Sequence, residues 1–269
     1  MAKKKKRRIV VPPIKGTKSL GAGYRRKLNQ FGRALIAEVK QEVLAFLKAQ
    51  ESAYAMDGVA DQLARIFAKL KGKFTGHATL SFAEATASQF VHKINATNKS
   101  KFDRTMARAF RGVNLNSVIA DEGLEELIAL NVHKNTGLIT SLPDEYIKQV
   151  ETIVNNNVAS GAKYATIEKE IVSKTGVNSK LFGRIKTIAM NESQTINSQL
   201  SLRRTTKLGI TRGIYRTSRD KAVRPSHRAL DGQEFELSKG AWSKMENKYI
   251  QPGITDINCR CGYSPIIEV

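Results

Sequence analysis

Apolar residues recur at helical spacing along the first three quarters of the chain, and the period changes near residue 209. Tyr24, Leu28, Phe31, Leu35, Val39, Val43 and Phe46 fall three or four apart, which predicts a helix with one apolar stripe over 24–46. Val59, Leu63, Ile66, Phe67 and Leu70 form a second stripe, and shorter periodic runs cover 82–94, 102–110 and 118–132. Helices with one apolar face need neighbours to cover it, so residues 24–140 read as a helical bundle. Pro143 and Gly161 bracket a further helix, with Asp144 and Glu145 suited to its N-terminal dipole. A short helix is expected over 166–174, and Ser179 can cap a long one that stops at Gly209.

Beyond Gly209 the period becomes two. Ile210, Arg212, Ile214 and Arg216 alternate with Thr211, Gly213, Tyr215 and Thr217, the pattern of a strand. Asp231-Gly232 is expected to form a hairpin turn between the His227 side and Phe235, and Trp242 either to anchor the tail in its core or to face a partner. The fold class is therefore α+β and mostly α-helical. A helical bundle is followed, over 141–269, by a smaller domain of a long helix plus short strands.

The 269 residues are 41% hydrophobic, enough for a real core. No run reaches the roughly 18 apolar residues of a membrane span, and the apolar Ile9-Val10-Val11 is too short for a signal peptide. The expectation is a protein made inside the cell, with no membrane partner.

Charge changes the picture most at the N-terminus. The net charge is +21, and residues Lys3 to Arg33 hold twelve basic side chains and no acidic one. Together with Pro12-Pro13 and three glycines, this predicts a flexible basic arm over 1–23. Lys3, Lys4, Lys5, Lys6, Arg7, Arg8, Lys15, Lys18, Arg25, Arg26 and Lys27 are its candidate contacts to double-stranded DNA, which they would bind without sequence preference.

Chemically distinctive residues gather in the tail. His77, His92 and His133 are scattered without ligand spacing and are read as structural. Residues 184–261, by contrast, carry an ordered series of motifs. Arg184, Ile188, Ala189 and Glu192 form R-x-x-x-I-A-x-x-E, and Gly209-Ile210 and then Tyr215 and Asp220 follow. Val223, Arg224 and His227 form V-R-x-x-H, Leu230, Asp231, Gly232 and Phe235 form L-D-G-x-x-F, and Asn258-Cys259-Arg260-Cys261 holds both cysteines. This order resembles the phage head morphogenesis family, also described as Mu F-like or minor head proteins, from about Leu142 to the end. Two residues depart from its pattern: Tyr215 stands where many relatives have Trp, and Asp256 where many have His.

The resemblance implies a structural, non-enzymatic protein of the virion, placed in the head interior or at the portal vertex after assembly in the host cytoplasm. It implies the portal protein and other head or scaffolding proteins as partners, with a part in head assembly, DNA packaging or DNA ejection. Arg184, Glu192, Arg224, His227, Asp231, Gly232, Asn258, Cys259, Arg260 and Cys261 are then its structural motif.

Two chemical alternatives remain open in the same residues. His227, Cys259 and Cys261, with Asp231 or Asp256, could ligate zinc. Against this, structural zinc sites usually use Cys-x-x-Cys, and the closer Cys-x-Cys spacing is expected to turn the thiols apart. No cofactor is the expectation, and the thiols read as buried, free and poorly placed for a disulfide, as suits a reducing compartment. The other alternative is a metal-dependent nuclease with His227 as general base and either Asp231 orienting it or Asp220 and Glu234 holding an ion.

Overall fold

A computed structural model describes residues 8–51, 58–110, 123–176 and 179–268. In chain order these form β1 (Arg8–Val10), α1 (Lys18–Glu51), α2 (Val59–Thr75), α3 (His77–Phe110), α4 (Glu125–Ala159), α5 (Tyr164–Thr175) and α6 (Lys180–Lys207). Then come β2 (Arg212–Arg216), α7 (Pro225–Arg228), β3 (Glu234–Glu236), β4 (Ala241–Ser243), β5 (Lys248–Ile250) and β6 (Gly262–Glu268). The fold is mostly helical with a small antiparallel sheet, as the periodicities predict. No described helix is long and apolar enough to cross a membrane.

The chain divides into two compact units. One comprises Ala22–Ser88 and Val132–Ala189; the other comprises Met1–Gly21, Gln89–Asn131 and Met190–Val269.

The first unit is all helical. The α1 stripe is its spine: Tyr24, Leu28, Leu35, Val39 and Val43 are buried, with Leu63, Phe67 and Leu70 of α2 and Ile139, Ile147 and Val150 of α4. Phe31 is half-buried and stacks on Phe82 at 5.1 Å, with Phe74 edge-on at 6.4 Å. Pro143 lies inside α4 and does not begin a helix. A proline removes one backbone donor and crowds the preceding turn. Just before it the Thr140 and Ser141 hydroxyls donate to the carbonyls of Thr136, Gly137 and Leu138, and the helix continues through the proline to Ala159.

The second unit holds the sheet, ordered β1-β6-β2-β3 with every pair antiparallel. Ile9 pairs with Ile267, Ile214 with Ser264 and Gly213 with Phe235; β4 and β5 form a separate hairpin. Tyr215, Phe235, Leu237, Ile250, Tyr263 and Ile267 fill its core with Val11, Phe102 and Met106. The expected runs 82–94 and 102–110 are one helix, α3, because the polar residues between them serve a buried network. Asn98 donates to the Asn197 carbonyl, Asn197 Oδ1 and Ser201 Oγ, and the fully buried Arg204 donates to Asn98 and Asn95.

Two expectations change here. The arm does not extend to residue 23: from Arg8 the chain is built into the fold. β1 pairs along β6, the Val11 N–H donates to the Pro265 carbonyl at 2.9 Å with Val11 fully buried, and α1 begins at Lys18. The reason is the β-branched run Ile9-Val10-Val11, which covers an otherwise open sheet edge. Lys3 to Arg7 lie outside the described residues, as does Val118. Trp242 is not a core anchor: it is exposed and meets exposed Tyr249 across the β4–β5 hairpin, ring centroids 5.0 Å apart.

Candidate functional site

The side chain at the centre of the tail is His227, carried by the one-turn helix α7 and only 2% exposed. Its two ring nitrogens face different chemistry. Nε2 lies 2.9 Å from Asp256 Oδ2. Nδ1 faces three groups at once: Tyr215 Oη at 3.2 Å, Cys259 Sγ at 3.5 Å and Cys261 Sγ at 3.6 Å. A carboxylate accepts only, so Nε2 carries a proton; in the neutral ring Nδ1 is then the nitrogen whose lone pair faces the hydroxyl and the two sulfurs.

Three stretches bring these groups together. β2 delivers Tyr215 into the core, α7 delivers His227, and the loop before β6 delivers Asp256, Cys259 and Cys261. α6 fixes that loop: Asn191 Oδ1 accepts the Asn258 N–H at 2.8 Å, and Gln194 donates to the Cys261 carbonyl at 3.3 Å. Asn258 takes a left-handed backbone (φ 59) just before the cysteines, a conformation asparagine tolerates. Gly253 (φ 75) donates its N–H to Cys259 Sγ, and a Cβ there would strike Ser198 Oγ and the Cys261 carbonyl.

The thiols converge, contrary to the expectation from Cys-x-Cys. On extended backbone, residues i and i+2 share a face. Cys259 and Cys261 are therefore both buried while Arg260 turns out to Asp220 at 2.8 Å. The hydrogen bond from Cys261, with the N–H of Gly253, holds the Cys259 thiol well below its ordinary value; the same contact and burial push Cys261 up. Burial also drives the Tyr215 phenol upward.

Comparison with known proteins agrees with the resemblance drawn from the motifs: residues 148–264, which include this whole cluster, match one family. That family is described as Phage Mu protein F like protein. The likeness is thus to phage head-related proteins. An uncharacterized protein of Haemophilus influenzae is 25% identical over 262 residues, covering 95% of this chain and 55% of its own length. The chain therefore spans about half the length of that relative. No solved structure matches this chain.

Within the Mu F-like region the other motif residues act at separate points. Asp231 does not reach His227: its Oδ1 accepts the Thr217 N–H at 2.8 Å, and Gly232 (φ 86) bends the chain from α7 towards β3, so the turn is not a two-residue hairpin. Arg224 donates to the Ile257 carbonyl at 2.9 Å, which ties α7 to the cysteine loop. Arg184 donates to Ser141 and pairs with Glu145. Glu192 is buried and accepts from Asn191 at 2.9 Å. Nor do the acids of the nuclease alternative gather at His227, since Asp220 pairs with Arg260 and Glu234 with Arg8 and Arg212.

Of the candidate DNA contacts, Arg8 is committed to Glu234 at 2.7 Å. Lys15, Lys18, Arg25 and Arg26 are exposed and Lys27 is half-buried. Sequence reasoning missed Asp256 as the partner of His227, 29 residues away, and missed Arg204. Only the two polar positions Asn95 and Asn98, in an otherwise helical run, hinted at the latter.

Proposed function

We propose that this chain is a non-enzymatic minor head protein of a phage or prophage. It is made in the host cytoplasm, joins the head in association with the portal protein, and acts there in head assembly and in DNA packaging or ejection. The observation that carries the reading is the family match over 148–264, seated on a sheet whose outer strand, β1, continues directly from the basic run Lys3–Arg7. A cationic segment fixed to that sheet is suited to neutralise phosphates of packaged double-stranded DNA without selecting bases. The exposed Trp242, Met245 and Tyr249 of the β4–β5 hairpin are the kind of side chains that anchor protein contacts, and we assign them to the portal or a neighbouring head protein.

The test is co-expression with the portal protein of the same genome. Stable co-purification, and no cleavage of DNA with magnesium or manganese present, is the expected result. Divalent-ion-dependent cleavage that His227→Ala abolishes in a folded protein would replace this reading with the nuclease one.

A further inference from the structure

The cluster around His227 Nδ1 has no role in the proposed head function, and its hydrogen bonding is unbalanced. Two thiols and a phenol, all buried, surround a single lone pair. A single lone pair accepts from only one of them at a time, so Nδ1 alone does not account for all three gathering around it. A cation at their centre does: each sulfur, the oxygen and the nitrogen become ligands to it.

We propose that His227 Nδ1, Cys259 Sγ and Cys261 Sγ bind a structural zinc ion, with Tyr215 Oη at the fourth corner. The distances fit. With Zn–S of about 2.3 Å and Zn–N of about 2.0–2.1 Å, a tetrahedron separates its sulfur and nitrogen corners by roughly 3.5 Å. The observed separations are 3.5 and 3.6 Å, and the three ligand atoms lie within 4.8 Å of one another. The surroundings also match. A zinc-bound histidine donates its other N–H to a carboxylate that fixes ring and tautomer, the part Asp256 takes at 2.9 Å while Lys248 holds its other oxygen at 2.9 Å. The Gly253 N–H directed at Cys259 Sγ stabilises a thiolate.

A second grouping, His227 with Glu246 and Asp256, also has ligand proximity. Lys248 already sits between its carboxylates, 2.7 Å from Glu246 and 2.9 Å from Asp256, so an internal ammonium fills it. The thiol site is closed, its protein donors all nearly buried. Closed tetrahedral sites are structural, whereas catalytic ones leave a corner for water. Zinc here would join α7, β2 and the cysteine loop, a part of the unit held otherwise by strands of three to seven residues.

The experiment uses the full chain, purified without added metal and analysed for zinc, then stripped by denaturation with chelator and refolded with cobalt(II). The expected result is about one zinc per chain and, at one equivalent of cobalt, the visible bands of a tetrahedral ion together with thiolate-to-cobalt charge transfer. Cys259→Ser and Cys261→Ser should each weaken the charge-transfer band. Tyr215→Phe should keep the stoichiometry and shift the visible bands. Zinc-free protein that takes up no cobalt after refolding overturns the site. So does cobalt bound without charge transfer, which would place the ion among carboxylates. An unaltered spectrum in Tyr215→Phe overturns the assignment of the fourth corner.

Discussion

Asp256 Oδ2 accepts the Nε2 proton of His227 at 2.9 Å across 29 residues of sequence. This one bond sets the tautomer of a buried ring and so decides what its other nitrogen can do. Asp256→Ala leaves a buried donor without its acceptor, which costs about 1–3 kcal/mol. Asp256→Asn retains a side-chain oxygen to accept it, and most of that loss should be recovered. Denaturant unfolding of the two variants makes the comparison; equal losses would mean that His227 does not depend on this acceptor.

A second expectation concerns the buried polar ladder between α3 and α6. Arg204 is fully buried and donates to Asn98 and Asn95, while Asn98 also donates to Asn197 and Ser201. Removing the Asn98 amide deprives several buried groups of partners at once. Asn98→Ala should therefore destabilise by about 3 kcal/mol, at the upper end for a hydrogen bond to a charged group. Asn98→Ala combined with Arg204→Met should cost less than the two single losses added, because the bond between Arg204 and Asn98 is lost once and the guanidinium is not left facing a missing acceptor. Strict additivity in thermal or denaturant unfolding would show the ladder to be uncoupled.

The third expectation tests the spine of the helical unit. Val39 is fully buried in the α1 stripe, so Val39→Asp forces an unpaired carboxylate into that core and should prevent stable folding. Phe31 is half-buried against Phe82 and Phe74, and Phe31→Asp should be milder, since its charge can reach solvent. Soluble yield and helical circular dichroism distinguish them; a folded Val39→Asp protein would mean the stripe is not a core seam.

These cases show where the sequence is legible. The α1 stripe could be read because apolar and polar positions contrast strongly at a period of 3.6, and burial follows that contrast. The α3 ladder could not, because Asn95 and Asn98 break the apolar pattern while serving a polar partner on another helix. β1 was hidden for the opposite reason: three β-branched residues are too few to register beside a run of like charges, and their partner strand is the last in the chain. At the site, His227 and the two cysteines stand out by rarity, but sequence proximity favoured Asp231 over Asp256 as the histidine's partner. The Cys-x-Cys gap was weighed against the usual zinc spacing, whereas the two-residue period of extended backbone is what brings the thiols together.

A pH dependence follows from the anchoring of β1. Glu234 accepts from Arg8 at 2.7 Å and Arg212 at 2.6 Å, and the bond from Arg8 is the leading reason its carboxyl lies below the ordinary 4.5. A carboxylate lowered in the folded state stabilises above its unfolded value, and that contribution is lost as pH falls through the folded value. β1 should therefore be held at neutral pH and loosen in acid below 4.5. Amide exchange of Val11, whose N–H donates to Pro265, reports it directly. Glu234→Gln should exchange faster at neutral pH and lose the acid step; a step of unchanged size would place the titrating group elsewhere.

The last expectation is how the basic run contributes to DNA binding. Deleting residues 2–7 removes Lys3, Lys4, Lys5, Lys6 and Arg7 and leaves β1, Val11 and the sheet edge in place. A longer deletion would remove β1 itself and confuse loss of charge with loss of fold. Each phosphate neutralised on double-stranded DNA releases about 0.9 counterion, so five cations account for a salt slope of about 4.5 in magnitude. The truncated protein should unfold at the same temperature, bind DNA more weakly, and show a slope lowered by up to that amount. Because contacts to phosphates read no base edges, the full-length protein should bind unrelated sequences equally. An unchanged slope would move the contacts to exposed cations of the folded chain, with Lys15, Lys18, Arg25 and Arg26 the first to substitute. The basic run would then be better explained as meeting an acidic protein surface, which binding to the portal protein at rising salt would reveal.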